Sequence, residues 1–182
     1  SDRLKGKPEQ AMEKILQGYQ KEKIDAIVSV GPPHSSHLIG LKLSKRFKIP
    51  HIPVLIDPWV DIVYYKNLKR SSITKMVDNH FEKSVLQNAR QVVFVNKSTE
   101  EDYEKKYSFL KGKSNVLYWG YDEEAFKDLK TDKIRKDEKI IVHAGNMFAY
   151  QNPKNFWKQI KIENDKGNII AIRFVGSVDK EI

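Results

Sequence analysis

Cysteine is absent from the chain. That absence excludes a disulfide framework, a thiolate metal site and a cysteine nucleophile, and it agrees with a reducing compartment, the cytoplasm by default. Glycine and proline are sparse, 9 and 7 of 182 residues, while apolar residues make up 40% and charged residues 31%, so a globular chain is expected and a disordered one excluded. No run approaches the roughly 18 consecutive apolar residues that a spanning helix needs, and the N-terminal segment is too charged for a signal peptide. Acidic side chains are outnumbered, 24 against 33 Lys and Arg, which leaves a formal charge of +9. The lysines are scattered through every segment, so a solvated basic surface accounts for most of the excess. The functional alternative is attraction to anions, either nucleotide phosphates or an anionic leaflet at the membrane surface. Nucleic acid is not an expected partner, because no helix-turn-helix, zinc-finger or RNA-binding sheet motif is present.

Helical and strand-like segments alternate along the chain. Met12, Ile15, Leu16 and Tyr19 have helical spacing, and Ile24 to Val30 then switches to a short β-rich run stopped by Gly31-Pro32-Pro33. Ser35 and Ser36 are expected to cap a helix with Leu38, Ile39, Leu41, Leu43 and Phe47 on its apolar face. His51 to Ile56 is the next strand, closed by Asp57-Pro58-Trp59, and 61–70 is expected to be a loop or short helix. From Ser72 to Asn88 a long helix carries Ile73, Val77, Phe81 and Val85 in one stripe, widened by Met76. Gln91 to Val95 is a third strand, Ser98 and Glu101 form a capping box opening a helix from Thr99 to Tyr107, and Val116 to Tyr118 is a fourth strand. Residues 127–138 are almost all charged or polar and read as a linker. Beyond it come a strand from Lys139 to Ala144, a helix capped by Asn152 with Pro153 at its first position, running to about Ile162, and a strand from Asn168 to Val175. Continuous apolar strands alternating with helices predict parallel sheets buried on both faces, so the expected class is α/β, with Rossmann-like sheets on either side of the linker.

In open parallel sheets, ligands bind beyond the carboxyl ends of the strands. The loops there carry the candidate residues. Asp57 could hold or help deprotonate a hydroxyl, or could simply make an Asx turn. Gly31, His34, Ser35 and Trp59 could line a cleft, with Tyr64 and Tyr65 extending an aromatic platform; core burial is the alternative for Trp59 and capping or solvent exposure for His34. His34 and His37 have no third ligand at useful spacing, so no metal is expected. Gly145, Asn146 and Gly176 could admit a diphosphate close to the backbone, held by helix N-termini, and the glycines could equally be strand terminators.

Taken in order, 25–35, Ile56-Asp57-Pro58-Trp59, 82–103, 120–126, His143-Ala144-Gly145 and Arg173-Phe174-Val175-Gly176 resemble successive segments of group 1 (family 4-like) glycosyltransferases, over nearly the whole chain. The resemblance implies a GT-B fold, two Rossmann-like domains facing across a cleft, and transfer of a sugar from a nucleotide-diphosphate donor with retention of configuration and without metal or other cofactor. It implies that residues 1–126 are the C-terminal part of the acceptor-side domain, 127–138 the hinge and 139–182 the start of the donor-side domain, both domains incomplete. Asp57 then becomes the catalytic candidate, Gly145, Asn146 and Gly176 the donor phosphate site, and Gly31, His34, Ser35 and Trp59 the acceptor side.

Two departures stand out. The family's pair of acidic residues separated by seven others is missing, since no Glu has a Glu eight positions later, and the basic pair after the first donor-domain strand is replaced by Asn146 and Gln151-Asn152. Both ends read as cuts in a longer chain, so the isolated piece is expected to be nearly inactive and to self-associate through cut sheet edges. Its expected partners are a nucleotide sugar and a carbohydrate or lipid-linked acceptor, in surface polysaccharide biosynthesis. Two other readings stay open, a nucleotide-sugar epimerase of the same fold and a non-enzymatic nucleotide- or anion-binding module.

Overall fold

The computed structural model describes residues 7–18, 24–62, 70–128 and 139–182. Tyr64 and Tyr65 lie outside the described residues, as does all of the expected 127–138 linker except Lys127 and Asp128. The chain divides into two compact units, Ser1–Tyr121 and Asp122–Ile182.

The first unit runs α1 (Lys7–Gly18), β1 (Ile27–Gly31), α2 (Ser35–Phe47), β2 (His51–Leu55), α3 (Ser72–Asn88), β3 (Val92–Phe94), α4 (Lys97–Lys106) and β4 (Ser114–Val116). Its four strands are parallel and stand side by side in chain order. Right-handed crossovers between strands in that order put successive helices on the same face of the sheet. Three apolar clusters record this. Leu16, Ile27 and Leu43 join α1, β1 and α2; Leu41, Val60, Val85 and Trp59 join α2, α3 and the loop after β2; Leu55, Leu86, Phe94, Tyr103 and Leu110 join the rest. Each large side chain fully buried there contributes about 1.5–3 kcal/mol.

Burial on both faces, expected from the apolar strands, is not what the first unit shows. Residues alternate across the pleat, and Val28 and Val30 of β1, in register with Ile52 and Val54, are 60% and 47% exposed. The long stripe of α3 is also buried only in part. Glu82, Val85 and Leu86 are buried, while Ile73, Met76 and Val77 are exposed.

Helix starts differ from the capping signals for local reasons. His34 occupies the N-cap position of α2 and makes no side-chain cap bond, and the Ser36 hydroxyl donates to the Val30 carbonyl (2.7 Å) instead of capping. At α4 the cap is Asn96, whose Oδ1 accepts from the Thr99 amide (2.8 Å); Ser98 donates to that same oxygen rather than forming a box with Glu101. The fourth strand sits two residues earlier than expected, and Leu117 only extends its pairing by donating to the Phe94 carbonyl.

In the second unit, β5 (Lys139–Ala144) and β6 (Ile170–Val175) pair in parallel, with α5 (Lys154–Asp165) between them in sequence. Trp157 of α5 meets the Phe174 ring edge-on at 6.0 Å. Asn152 does not cap α5. Its Oδ1 accepts from the Trp157 indole N–H (2.8 Å), and Pro153 takes the N-cap position. β6 starts at Ile170 rather than Asn168 because Asn168 closes the end of α5 onto Glu163, while Asn164 Oδ1 accepts the Ile170 amide (2.7 Å).

Candidate functional site

The carboxyl edge of the first sheet is where β1 and β2 end together, with the Ile56 amide donating to the Gly31 carbonyl at 3.1 Å. Gly31 is buried, and a Cβ there would fall 2.5 Å from His37 Nε2 and 2.9 Å from His34 Nδ1. Two imidazoles therefore lie directly over the glycine, a close approach that no larger residue permits. His34 in turn stacks on Trp59, with ring centres 5.2 Å apart and planes 12° from parallel. Trp59 is only 6% exposed and belongs to the core. Its ring backs His34 instead of presenting a face to a ligand. His34, Ser35 and Asp57 are half-buried on the same edge and are the side chains available to a ligand there.

The start of α2 offers less to an anion than a bare helix N-terminus would. The amides of Ser36 and His37 already donate to the carbonyls of Pro33 and His34, both at 3.1 Å. What remains is an edge of half-buried imidazole, hydroxyl and carboxylate, suited to the hydroxyls of a neutral ligand.

Behind that edge lies a chain of imidazoles that sequence reasoning did not single out. Ser29 Oγ lies 2.7 Å from both His37 Nδ1 and His51 Nε2. All three residues are buried. A hydroxyl has one proton to give, so it donates to one ring and accepts from the other, which fixes the two tautomers relative to each other. Among the described residues, His37 Nε2 and His51 Nδ1 have no hydrogen-bond partner. Burial, reinforced by the neighbouring His34 and His51, pushes the His37 pKa down to about 3, and burial pushes His51 down to about 4. Both rings are neutral at pH 7. Gly40 of α2 makes the arrangement possible, since a Cβ there would lie 2.3 Å from His51 Nε2.

A second buried group supports the loop after β2. Glu82 of α3 is completely buried and accepts from four donors: Tyr103 Oη (2.8 Å) and the Val60 amide (3.2 Å) on Oε2, and Tyr107 Oη and Lys106 Nζ (both 2.8 Å) on Oε1. The Tyr103 hydroxyl itself accepts the Trp59 amide at 2.8 Å. Burial and the adjacent carboxylate raise the Tyr103 pKa, and the same two causes push Tyr107 up to about 12. Burial works against the Lys106 ammonium, but its bonds to Asp61 and Glu82 outweigh that and raise its pKa. The tyrosines remain protonated donors and Lys106 a cation.

In the second unit the candidate residues come together at the carboxyl ends of β5 and β6. Gly145 and Gly176 have φ of 135° and 138°, in the region that favours glycine. A Cβ on Gly176 would fall 2.2 Å from the Gly145 carbonyl oxygen. The glycines thus serve a close crossing of two backbones. Asn146 Oδ1 accepts the Ser177 amide (3.2 Å), and the two loops continue side by side through Met147 and Val178. Gly145, Asn146 and Gly176 are all exposed. A single 3-10 turn, Ala149–Gln151, follows this crossing, and the α-helix begins at Lys154, nine residues after Gly145.

Within each unit, then, the candidates share one edge: Gly31, His34, Ser35, Asp57 and Trp59 in the first, Gly145, Asn146 and Gly176 in the second. Glu82, Tyr103, Ser29, His37 and His51 were missed as parts of this apparatus. Their signal is spacing: Glu82, Val85 and Leu86 fall at i, i+3 and i+4, as do His37, Gly40 and Leu41, so the polar member shares the buried face. Among the described residues no group of three His, Asp or Glu is arranged to hold a metal ion, and no helix is long and apolar enough to cross a membrane. Compared with models of protein families and with curated protein sequences, the chain matches none.

Proposed function

We propose that the chain forms part of a retaining glycosyltransferase of GT-B type that uses a nucleotide-diphosphate sugar, with the first unit on the acceptor side and the second on the donor side. One observation carries the reading: in both units the candidate residues lie beyond the carboxyl ends of parallel strands, the edge at which such sheets bind ligands. Half-buried Asp57, His34 and Ser35 suit an acceptor hydroxyl, and Gly145, Asn146 and Gly176 lie exposed at the edge a diphosphate would approach, the Gly145 amide already donating to the Val175 carbonyl. In the proposed step a bond forms from the acceptor oxygen to the anomeric carbon on the face from which the phosphate departs. The bond from that carbon to the phosphate oxygen breaks, the hydroxyl proton passes to the leaving phosphate, and a nucleoside diphosphate is released. Asp57 orients the acceptor by accepting a hydrogen bond from a hydroxyl beside the reacting one, and backbone N–H groups stabilise the leaving group. The pathway served would be surface polysaccharide assembly.

The test is ligand-observed NMR of the chain with UDP-, GDP- and ADP-sugars. Binding of at least one, with a free nucleoside diphosphate competing for the same site, supports the proposal. Failure of all three to bind the folded chain overturns it, and conversion of a bound donor to its epimer without transfer replaces it with the epimerase reading.

A further inference from the structure

We propose that Glu82 is a positioning residue for the ligand edge of the first unit: with Tyr103 it fixes the backbone at Trp59 and Val60, and so holds the Trp59 ring beneath His34. The two carboxylate oxygens divide the work. Oε2 faces the loop, accepting from the Val60 amide and from Tyr103 Oη, and that hydroxyl passes the restraint on by accepting the Trp59 amide. Oε1 faces the other way, to Lys106 and Tyr107 of α4 and the turn after it. Two consecutive loop amides are thus held from below, that of Val60 by the Glu82 carboxylate and that of Trp59 by the Tyr103 hydroxyl bonded to it, and the side chain between them is the one stacked on His34.

A carboxylate with no exposed surface is costly to bury, and helices can be joined by apolar contacts alone. Here two of its four bonds end on or support the loop two residues beyond Asp57, rather than another helix. The network also reaches Asp61, through Lys106 Nζ at 2.7 Å. The arrangement sets where His34 stands at the edge. Glu82 acts through Trp59 and has no contact with a ligand of its own.

Tyr103 and Tyr107 separate this role from plain stapling of α3 to α4. Both hydroxyls donate to Glu82, but only that of Tyr103 holds the loop. The experiment records the His34 ring resonances of the full chain by NMR in the wild type, Tyr103→Phe, Tyr107→Phe and Glu82→Gln, with folding checked by circular dichroism. Because the indole current acts on the stacked imidazole, Tyr103→Phe should displace the His34 signals several times further than Tyr107→Phe does. Glu82→Gln, which keeps the side-chain shape, should displace them in the same direction and provides the comparison if Tyr103→Phe does not fold. Equal displacement by the two tyrosine variants, or none in Tyr103→Phe and Glu82→Gln, overturns the proposal.

A second arm rests on the acceptor-side reading and uses maltotriose as a neutral oligosaccharide probe. Its affinity should fall roughly tenfold in Tyr103→Phe and stay level in Tyr107→Phe. A wild type that ignores maltotriose counts against the acceptor reading alone, and the His34 resonances still decide the role of Glu82.

Discussion

Replacing His37 by Asn should flatten the acid side of the stability curve, and the size of the effect follows from the burial of the ring. In the folded chain the His37 imidazole is enclosed, bonded through Nδ1 to Ser29, and faced by the imidazoles of His34 and His51. Its pKa is about 3 when folded, against 6.5 when unfolded. Because the folded value is the lower one, the unfolded chain binds the proton first. The stabilising contribution is complete above pH 6.5 and is lost as the pH falls toward 3. The loss amounts to about 1.4 kcal/mol for each pH unit below 6.5, or about 2.5 kcal/mol between pH 7 and pH 4.5. Asn retains a polar group near the position of Nδ1 and cannot titrate. Urea unfolding of the wild type and His37→Asn, followed by tryptophan fluorescence at both pH values, gives the comparison. Carboxylates and His51 change alike in the two proteins, so the wild type should lose about 2.5 kcal/mol more than the variant. Equal losses would show that His37 is solvated or charged in the folded state, and the buried imidazole chain would be refuted.

Gly40→Ala should destabilise the first unit by about 2 kcal/mol or more, because the new Cβ collides with a His51 ring that Ser29 holds in place. Gly120→Ala, with nothing within 4 Å, should be neutral, and thermal melts of the pair measure the contrast. Asn96→Ala removes the cap of α4 and should cost about 1 kcal/mol in urea unfolding, whereas Ser98→Ala should cost clearly less.

Several elements were legible because one local signal dominated each. Lys139 to Ala144 is an unbroken β-rich run ended by glycine, and the strand occupies those residues. Ser72 to Asn88 is long and periodic, and the helix has those bounds. Caps were misread where two polar residues competed. Asn96 and Ser98 are both good caps, and once Asn96 takes the Thr99 amide, Ser98 can only donate to Asn96. Asn152 was claimed by an indole five residues away, a contact that exists only after α5 has formed. The open face of β1 depends on strand order, which periodicity does not encode. Among the candidate site residues, the shared edges followed from strand direction. Core burial was one of the two readings open for Trp59, and the structure has it in the core; the hydrogen bonds that hold its loop, Trp59 to Tyr103, Val60 to Glu82 and Tyr103 to Glu82, each join residues more than twenty apart in sequence.

In the proposed reading, ligands meet this chain at the carboxyl edges of its parallel strands. That reading is tested most directly by titrating isotope-labelled chain with a nucleotide sugar and mapping the amide shifts residue by residue. The largest changes are expected at Gly145, Asn146, Gly176 and Ser177. Changes concentrated at Lys139 and Ile170, the opposite ends of the same two strands, would contradict it.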